Sequence, residues 1–146
     1  MTRCCWSNRC RTRANVVVGP GERFCSKHAT WVLDKLVGDW VKARDGWKCM
    51  RCASEATIQW AHIITRGARY IRWAIEPYPG NSVALCQGCH FAYTQNEGNW
   101  RRWIDGRWPG HRDRLERMNA EAERRGGSID RAGLITEFRN RLEGAA

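Results

Sequence analysis

Four cysteines stand in two Cys-x-x-Cys pairs, Cys49 and Cys52 in "WKCMRC" and Cys86 and Cys89 in "LCQGC", with 33 residues between the pairs. Two knuckles of this spacing bring four thiolates to one tetrahedral ion, the closed structural zinc set with no open position for chemistry. His90 directly follows the last of these cysteines, His62 lies inside the apolar run "WAHII", and Asn81 follows "PYPG". A neutral imidazole can act as a base or a metal ligand near pH 7, so the cysteines read as scaffold and the histidines as the candidate chemistry. Each residue alone also has a plainer reading: His62 as a core histidine, His90 as a spare zinc ligand, Asn81 as a turn residue.

A second ligand set precedes the first. Cys5, Cys10, Cys25 and His28 are spaced x4, x14 and x2, three cysteines and one histidine, and Cys4 can replace Cys5. The competing reading is a basic tail with incidental thiols. Zinc is preferred because a segment this poor in core residues has little else to fold around. Two structural zinc ions are therefore expected. The start, "MTRCCWSNRCRTRANVVV", holds no apolar run of the length a signal sequence needs, and no longer run resembles a membrane span. A cytoplasmic location follows as the expectation, with thiolates on metal rather than disulfides.

These ligands require elements to hold them. Leu33, Leu36, Val37, Trp40 and Val41 form the stripe of an amphipathic helix over 30–46, with Thr30 as its cap. "ATIQWAHII" (56–64) and "SVALC" (82–86) read as two strands, and "EPYPGN" between them is turn material. A helix is predicted over 87–98, ending near Gly98. Two more are predicted in "HRDRLERMNAEAERR" and in "SIDRAGLITEFRNRL", the latter capped by Ser128. Trp100, Trp103 and Ile104 read as a helix face packing inward, although the interleaved Arg101, Arg102 and Arg107 also allow base stacking. His111 reads as a surface residue. The fold class is α+β, in three segments: 1–29, 30–98 and 99–146.

The formal charge is +10 over 146 residues, and 21 of the 25 basic residues are Arg. A rigid guanidinium fork suits phosphate oxygens, so nucleic acid is the partner this balance favours, although a generally basic surface explains the charge alone equally well.

With these pieces in place, residues 43–94 closely resemble the HNH endonucleases: "ARDGWKCMRC", then "AHI", an Asn in a turn, and "LCQGCH". The likeness is to the subgroup frequent in bacteriophages, whose ββα-metal (His-Me) finger is bracketed by two Cys-x-x-Cys pairs. "WRRWIDGRWPGHRDRLERMN" is similar, less specifically, to the C-terminal helices of phage members, and the start resembles a small zinc motif found beside some HNH domains. The resemblance implies a zinc-stabilised ββα-metal finger with flanking helices: a motif at 1–29, a nuclease core at 30–98 and a helical extension at 99–146. It implies hydrolysis of DNA phosphodiester bonds. His62 would be the general base, and His90 would ligate a catalytic divalent ion such as Mg²⁺ or Mn²⁺. Asn81 would hold the His62 strand or help bind that ion, and Arg66 and Arg72 would grip phosphates. Many members carry Asp or His just before the general base, where this chain has Ala61. That leaves the ion fewer protein ligands, with Asn81 or water filling in and Thr94 a weaker candidate.

Two further functions compete with the nuclease. One is a non-catalytic zinc-finger nucleic-acid binder with a decayed finger, favoured by Ala61. The other is an assembly or packaging partner. Cleavage with a divalent ion separates the nuclease from both.

Overall fold

The computed structural model describes residues 3–6 and 9–145. Residues 1, 2, 7 and 8 of the predicted 1–29 motif, and residue 146 of the predicted extension, lie outside them. Among the described residues the chain is an α+β protein of two small hairpins and five α-helices. In order these are β1 (Val16–Gly19), β2 (Glu22–Phe24), α1 (Ser26–Arg44), β3 (Ile58–His62), β4 (Ser82–Cys86), α2 (Gln87–Gln95), α3 (Glu97–Arg107), α4 (His111–Arg125) and α5 (Arg131–Gly144). No helix among them is long and apolar enough to cross a membrane.

The chain groups into two units, Met1–Trp40 with Ser128–Ala146, and Val41–Gly127. This differs from the three predicted segments, because α5 finds its partners near the start of the chain. In the first unit β1 and β2 pair antiparallel across Gly19-Pro20-Gly21. Val16, Phe24, Leu33, Val37, Ile135 and Phe138 are buried, and Trp40 meets Phe138 edge-on at 6.0 Å. Arg139 makes two bonds to the Glu22 carboxylate, 2.7 and 2.6 Å. The hairpin was not expected from the sequence, although Gly-Pro-Gly after three valines is its signal.

In the second unit β3 and β4 pair antiparallel with a regular register, Ile58 opposite Cys86 and His62 opposite Ser82. Ala61, Ile63, Val83, Leu85, Tyr93, Ile104 and Leu115 form the core beneath this hairpin. Trp100 and Trp103 pack against it, and Trp100 Nε1 donates to Ile63 O at 3.2 Å. The inward helix face predicted for 100–104 is therefore what forms.

Three helix ends and the burial of His111 also differ from expectation. Helix α1 begins at Ser26, and Thr30 lies inside it, its hydroxyl donating to Ser26 O at 2.9 Å. The predicted 87–98 helix breaks at Asn96, whose extended backbone closes α2 and whose side chain accepts from Asn99 N to open α3. Asp130, not Ser128, caps α5, accepting from Gly133 N at 2.9 Å. His111 is buried, not on the surface, and its Nε2 meets Gly80 O at 2.7 Å.

Candidate functional site

The two cysteine-rich groups form as sets, consistent with two structural zinc sites. The ligand atoms of Cys49, Cys52, Cys86 and Cys89 lie within 4.8 Å of one another, as do those of Cys4, Cys10, Cys25 and His28. A tetrahedral ion with Zn–S bonds of about 2.3 Å requires S–S edges of about 3.8 Å. The Cys52 and Cys86 sulfurs stand 3.7 Å apart, which fits the ion and is far too long for a disulfide. In the other set His28 Nδ1 is 3.2 Å from the sulfurs of both Cys4 and Cys25, close to the S–N edge of about 3.5 Å.

The first of these N-terminal ligands corrects the expected Cys5. Cys4 is buried and faces His28, whereas the Cys5 side chain is exposed and its sulfur accepts from Arg23 N at 3.2 Å. The chain bends at Cys5, and only the Cys4 sulfur stands with those of Cys10 and Cys25 and with the His28 ring.

The four-cysteine set brings the first turn of α2 together with the turn at 49–52 that precedes β3. Cys86 ends β4 and caps α2, its sulfur accepting from Cys89 N at 3.4 Å. Burial opposes ionisation at Cys49, but backbone N–H donors from Cys86, Cys52 and Arg51 bring its thiol down to about 7. Burial pushes Cys89 up to about 12 despite the nearby Arg51. A dication held by all four converts such unequal thiols to thiolates.

His90 follows on the same turn, and its Nδ1 lies 2.7 Å from Gln59 Oε1 on β3. A carbonyl oxygen only accepts, so Nδ1 carries the hydrogen and the lone pair lies on Nε2. Burial, and then the charge of Arg66, hold the His90 pKa below its ordinary value, which favours the neutral ring a metal requires. At the end of β3, His62 Nε2 is 3.2 Å from Arg72 O, so by the same reasoning its lone pair lies on Nδ1. Its ring packs 4.2 Å from that of Trp60.

His62 and His90 line one cleft of about 320 Å³, together with Ala61, Thr65, Thr94 and Glu97. Ala61 is 2% exposed and brings no ligand atom. The Thr94 hydroxyl donates to His90 O at 2.9 Å. Glu97 holds Arg101 through its Oε1 at 2.5 and 3.0 Å.

Asn81 is brought beside this cleft but not as a ligand. It is fully buried; its Oδ1 accepts from Ile64 N at 2.7 Å and its Nδ2 donates to Ile64 O at 3.1 Å. Its own carbonyl accepts from Ile63 N at 2.8 Å. Both ends of the side chain are engaged, so of the two roles the resemblance implies, the geometry suits the holding one and not metal ligation. These bonds also pull Ile63 and Ile64 out of the predicted strand, which stops at His62. The turn before Asn81 admits only glycine at Gly80: φ is +72°, and a Cβ would collide with Ala74 O and the Ile75 backbone. Arg44 braces the same turn, donating to Pro79 O at 2.7 Å and Ser82 O at 3.0 Å while paired with buried Asp45, which accepts from Ala84 N at 2.8 Å.

Arg66 is exposed, 5.9 Å over the Trp60 ring, and Arg72 is half-buried, 5.6 Å from the Trp73 ring. Gln59, Arg44, Asp45 and His111 were not singled out as site residues in the sequence. Each acts through a partner remote in the chain, and no local pattern marks such a pair. No family model matches this chain, and neither a curated protein nor a solved structure matches it.

Proposed function

We propose that this chain is a metal-dependent endonuclease of the HNH type, cutting DNA phosphodiester bonds with the β3–β4–α2 unit as its ββα-metal finger. The observation that supports it best is that His62 and His90, remote in sequence, line one cleft beside a clipped hairpin. Nε2 of His62 is tied to Arg72 O, so Nδ1 is the atom that takes a proton from the attacking water. The Arg72 carbonyl keeps the ring in this tautomer and orientation. Gln59 does the same for His90, whose Nε2 would ligate the divalent ion, with the remaining positions left to water. When bound, that ion would supply charge stabilisation for the phosphate and the leaving oxygen. Asn81 keeps the end of β3 in register with the turn, so that His62 meets its substrate from a fixed strand. Arg66, exposed and 5.9 Å over the Trp60 ring that packs on His62, is the cation assigned to a phosphate oxygen.

One observation favours a second reading, a nucleic-acid binder that does not cut: Ala61 gives the cleft no carboxylate beside the base. Supercoiled and branched DNA, incubated with Mg²⁺, Mn²⁺ or Ni²⁺, separates the two. The nuclease reading expects cleavage to 5′-phosphate and 3′-hydroxyl ends. It also expects His62→Ala to lower the rate by about 10²–10⁴-fold, with zinc content and DNA binding kept. Salt-sensitive binding with no cleavage under any of these ions refutes it and leaves the binder. A His62→Ala protein that cuts normally removes His62 from the chemistry.

A further inference from the structure

Outside the cleft, the N-terminal zinc set carries two large aromatic rings at its surface. Trp6 is 46% exposed and Trp31 is 45% exposed, whereas Trp73 is buried and Trp100, Trp103 and Trp108 are partly covered by the core. The exposed rings are not loosely placed. Trp6 lies nearly parallel to the ligand His28, centroids 5.3 Å apart at 11°. Trp31 meets His28 edge-on at 5.0 Å and Trp6 at 6.1 Å. A metal ligand therefore fixes both rings, and their ordering cost is met before any partner arrives.

The charges around them share one sign. Arg3 precedes Cys4, Arg9 and Arg11 flank Cys10, and Lys27 precedes His28, so each of these cations adjoins a ligand of the same ion. Arg13 pairs with Arg3 across a β-bridge. All five are exposed. Lys27 Nζ sits 4.8 Å from the Trp31 centroid. The ligand set with its zinc carries one net negative charge. The one acidic residue between Arg3 and His28 is Glu22, already bound by Arg139. Half-exposed flat rings among guanidinium and ammonium groups match a polyanion whose own flat rings are accessible. In a duplex the bases are stacked inside, so only its phosphates could meet this face; in a single strand the bases are available.

We propose that Trp6 and Trp31 form a base-stacking site for single-stranded nucleic acid, with Arg3, Arg9, Arg11, Arg13 and Lys27 holding its phosphates. This site does not depend on the nuclease reading, since none of its residues belongs to the cleft.

The test is anisotropy of a labelled thymidine homopolymer on the full zinc-loaded chain, in buffer without added Mg²⁺ or Mn²⁺. An abasic strand of equal length and a duplex serve as charge controls. The thymidine strand is expected to bind more tightly than the abasic one. Trp31→Ala is expected to weaken thymidine binding by about ten-fold or more and leave abasic and duplex binding unchanged, because stacking contributes about 1–3 kcal/mol per base. Trp31→Phe, which keeps a ring, is expected to restore most of the loss, and Trp6→Ala to behave as Trp31→Ala wherever its zinc content is intact. Arg9→Gln with Arg11→Gln is expected to weaken all three ligands and flatten their salt dependence. Equal binding of thymidine and abasic strands overturns the proposal. So does a Trp31→Ala protein, with zinc retained, that binds thymidine normally.

Discussion

Removing the Asn81 side chain tests the geometry beside the cleft most directly. In Asn81→Ala the Ile64 N–H and C=O both lose their partners, bonded at 2.7 and 3.1 Å to a side chain with no exposure. A buried polar backbone group left unsatisfied costs about 1–3 kcal/mol. Ile64 is half-buried, so water recovers part of this, and the expected loss is about 2–4 kcal/mol. Against a typical total of about 5–15 kcal/mol, that is a large fraction and is easily read as a lower urea midpoint at constant slope. Asn81→Asp sharpens the test. One carboxylate oxygen can still accept from Ile64 N, but the other replaces an amide donor and faces Ile64 O, acceptor against acceptor in a buried site. This variant is expected to lose at least as much stability as Asn81→Ala. Were Asn81 a ligand of the divalent ion, the carboxylate would instead tighten Mg²⁺ or Mn²⁺ binding. An Asn81→Ala protein within about 1 kcal/mol of the parent refutes the holding role, as does a stable Asn81→Asp protein with raised Mn²⁺ affinity.

Three further outcomes are expected. Cys4→Ser should lower zinc content from two ions per chain to one by metal analysis, while Cys5→Ser should leave both, because only the Cys4 sulfur stands with Cys10, Cys25 and His28. Gln59→Ala should weaken binding of Mn²⁺ or Co²⁺, measured calorimetrically, by about 10–100-fold, and nitrogen NMR shifts should show His90 losing its Nδ1–H tautomer, with the two zinc ions kept. Glu22→Gln should remove a stabilising contribution seen only at higher pH. Arg139 holds the Glu22 carboxyl below its ordinary 4.5, so this contribution is present above that pH and is lost as pH falls through the lower folded value. With side chains 34% and 37% exposed the effect should stay under about 1 kcal/mol, read as a shallower acid limb in denaturation against pH.

Much of the scaffold could be read along the chain. The pairing of Cys49 and Cys52 with Cys86 and Cys89 follows from ligand spacing, because a knuckle is a local turn with two sulfurs at one end. Strand β4 and helix α4 fall at their predicted bounds, since a β-branched run and a charged periodic run each carry their own signal. The candidate residues His62, Asn81 and His90 were also singled out from spacing and resemblance.

What the sequence could not decide is which atom faces which partner. Cys4 and Cys5 are adjacent and chemically identical, and only the pairing of Cys5 with Arg23 turns one toward His28 and the other away. Asn81 has the chemistry of a ligand, yet burial against Ile64 commits both its polar ends to the backbone. His111 sits in a polar run and reads as solvated until Gly80 O meets it from 31 residues away. The tautomers of His62 and His90 depend on Arg72 O and Gln59, contacts spanning 10 and 31 residues. Spacing and periodicity are properties of short stretches and survive in the linear code. Burial and hydrogen-bond direction exist only once distant stretches meet, so the tertiary structure alone made a shared cleft of two separate histidines.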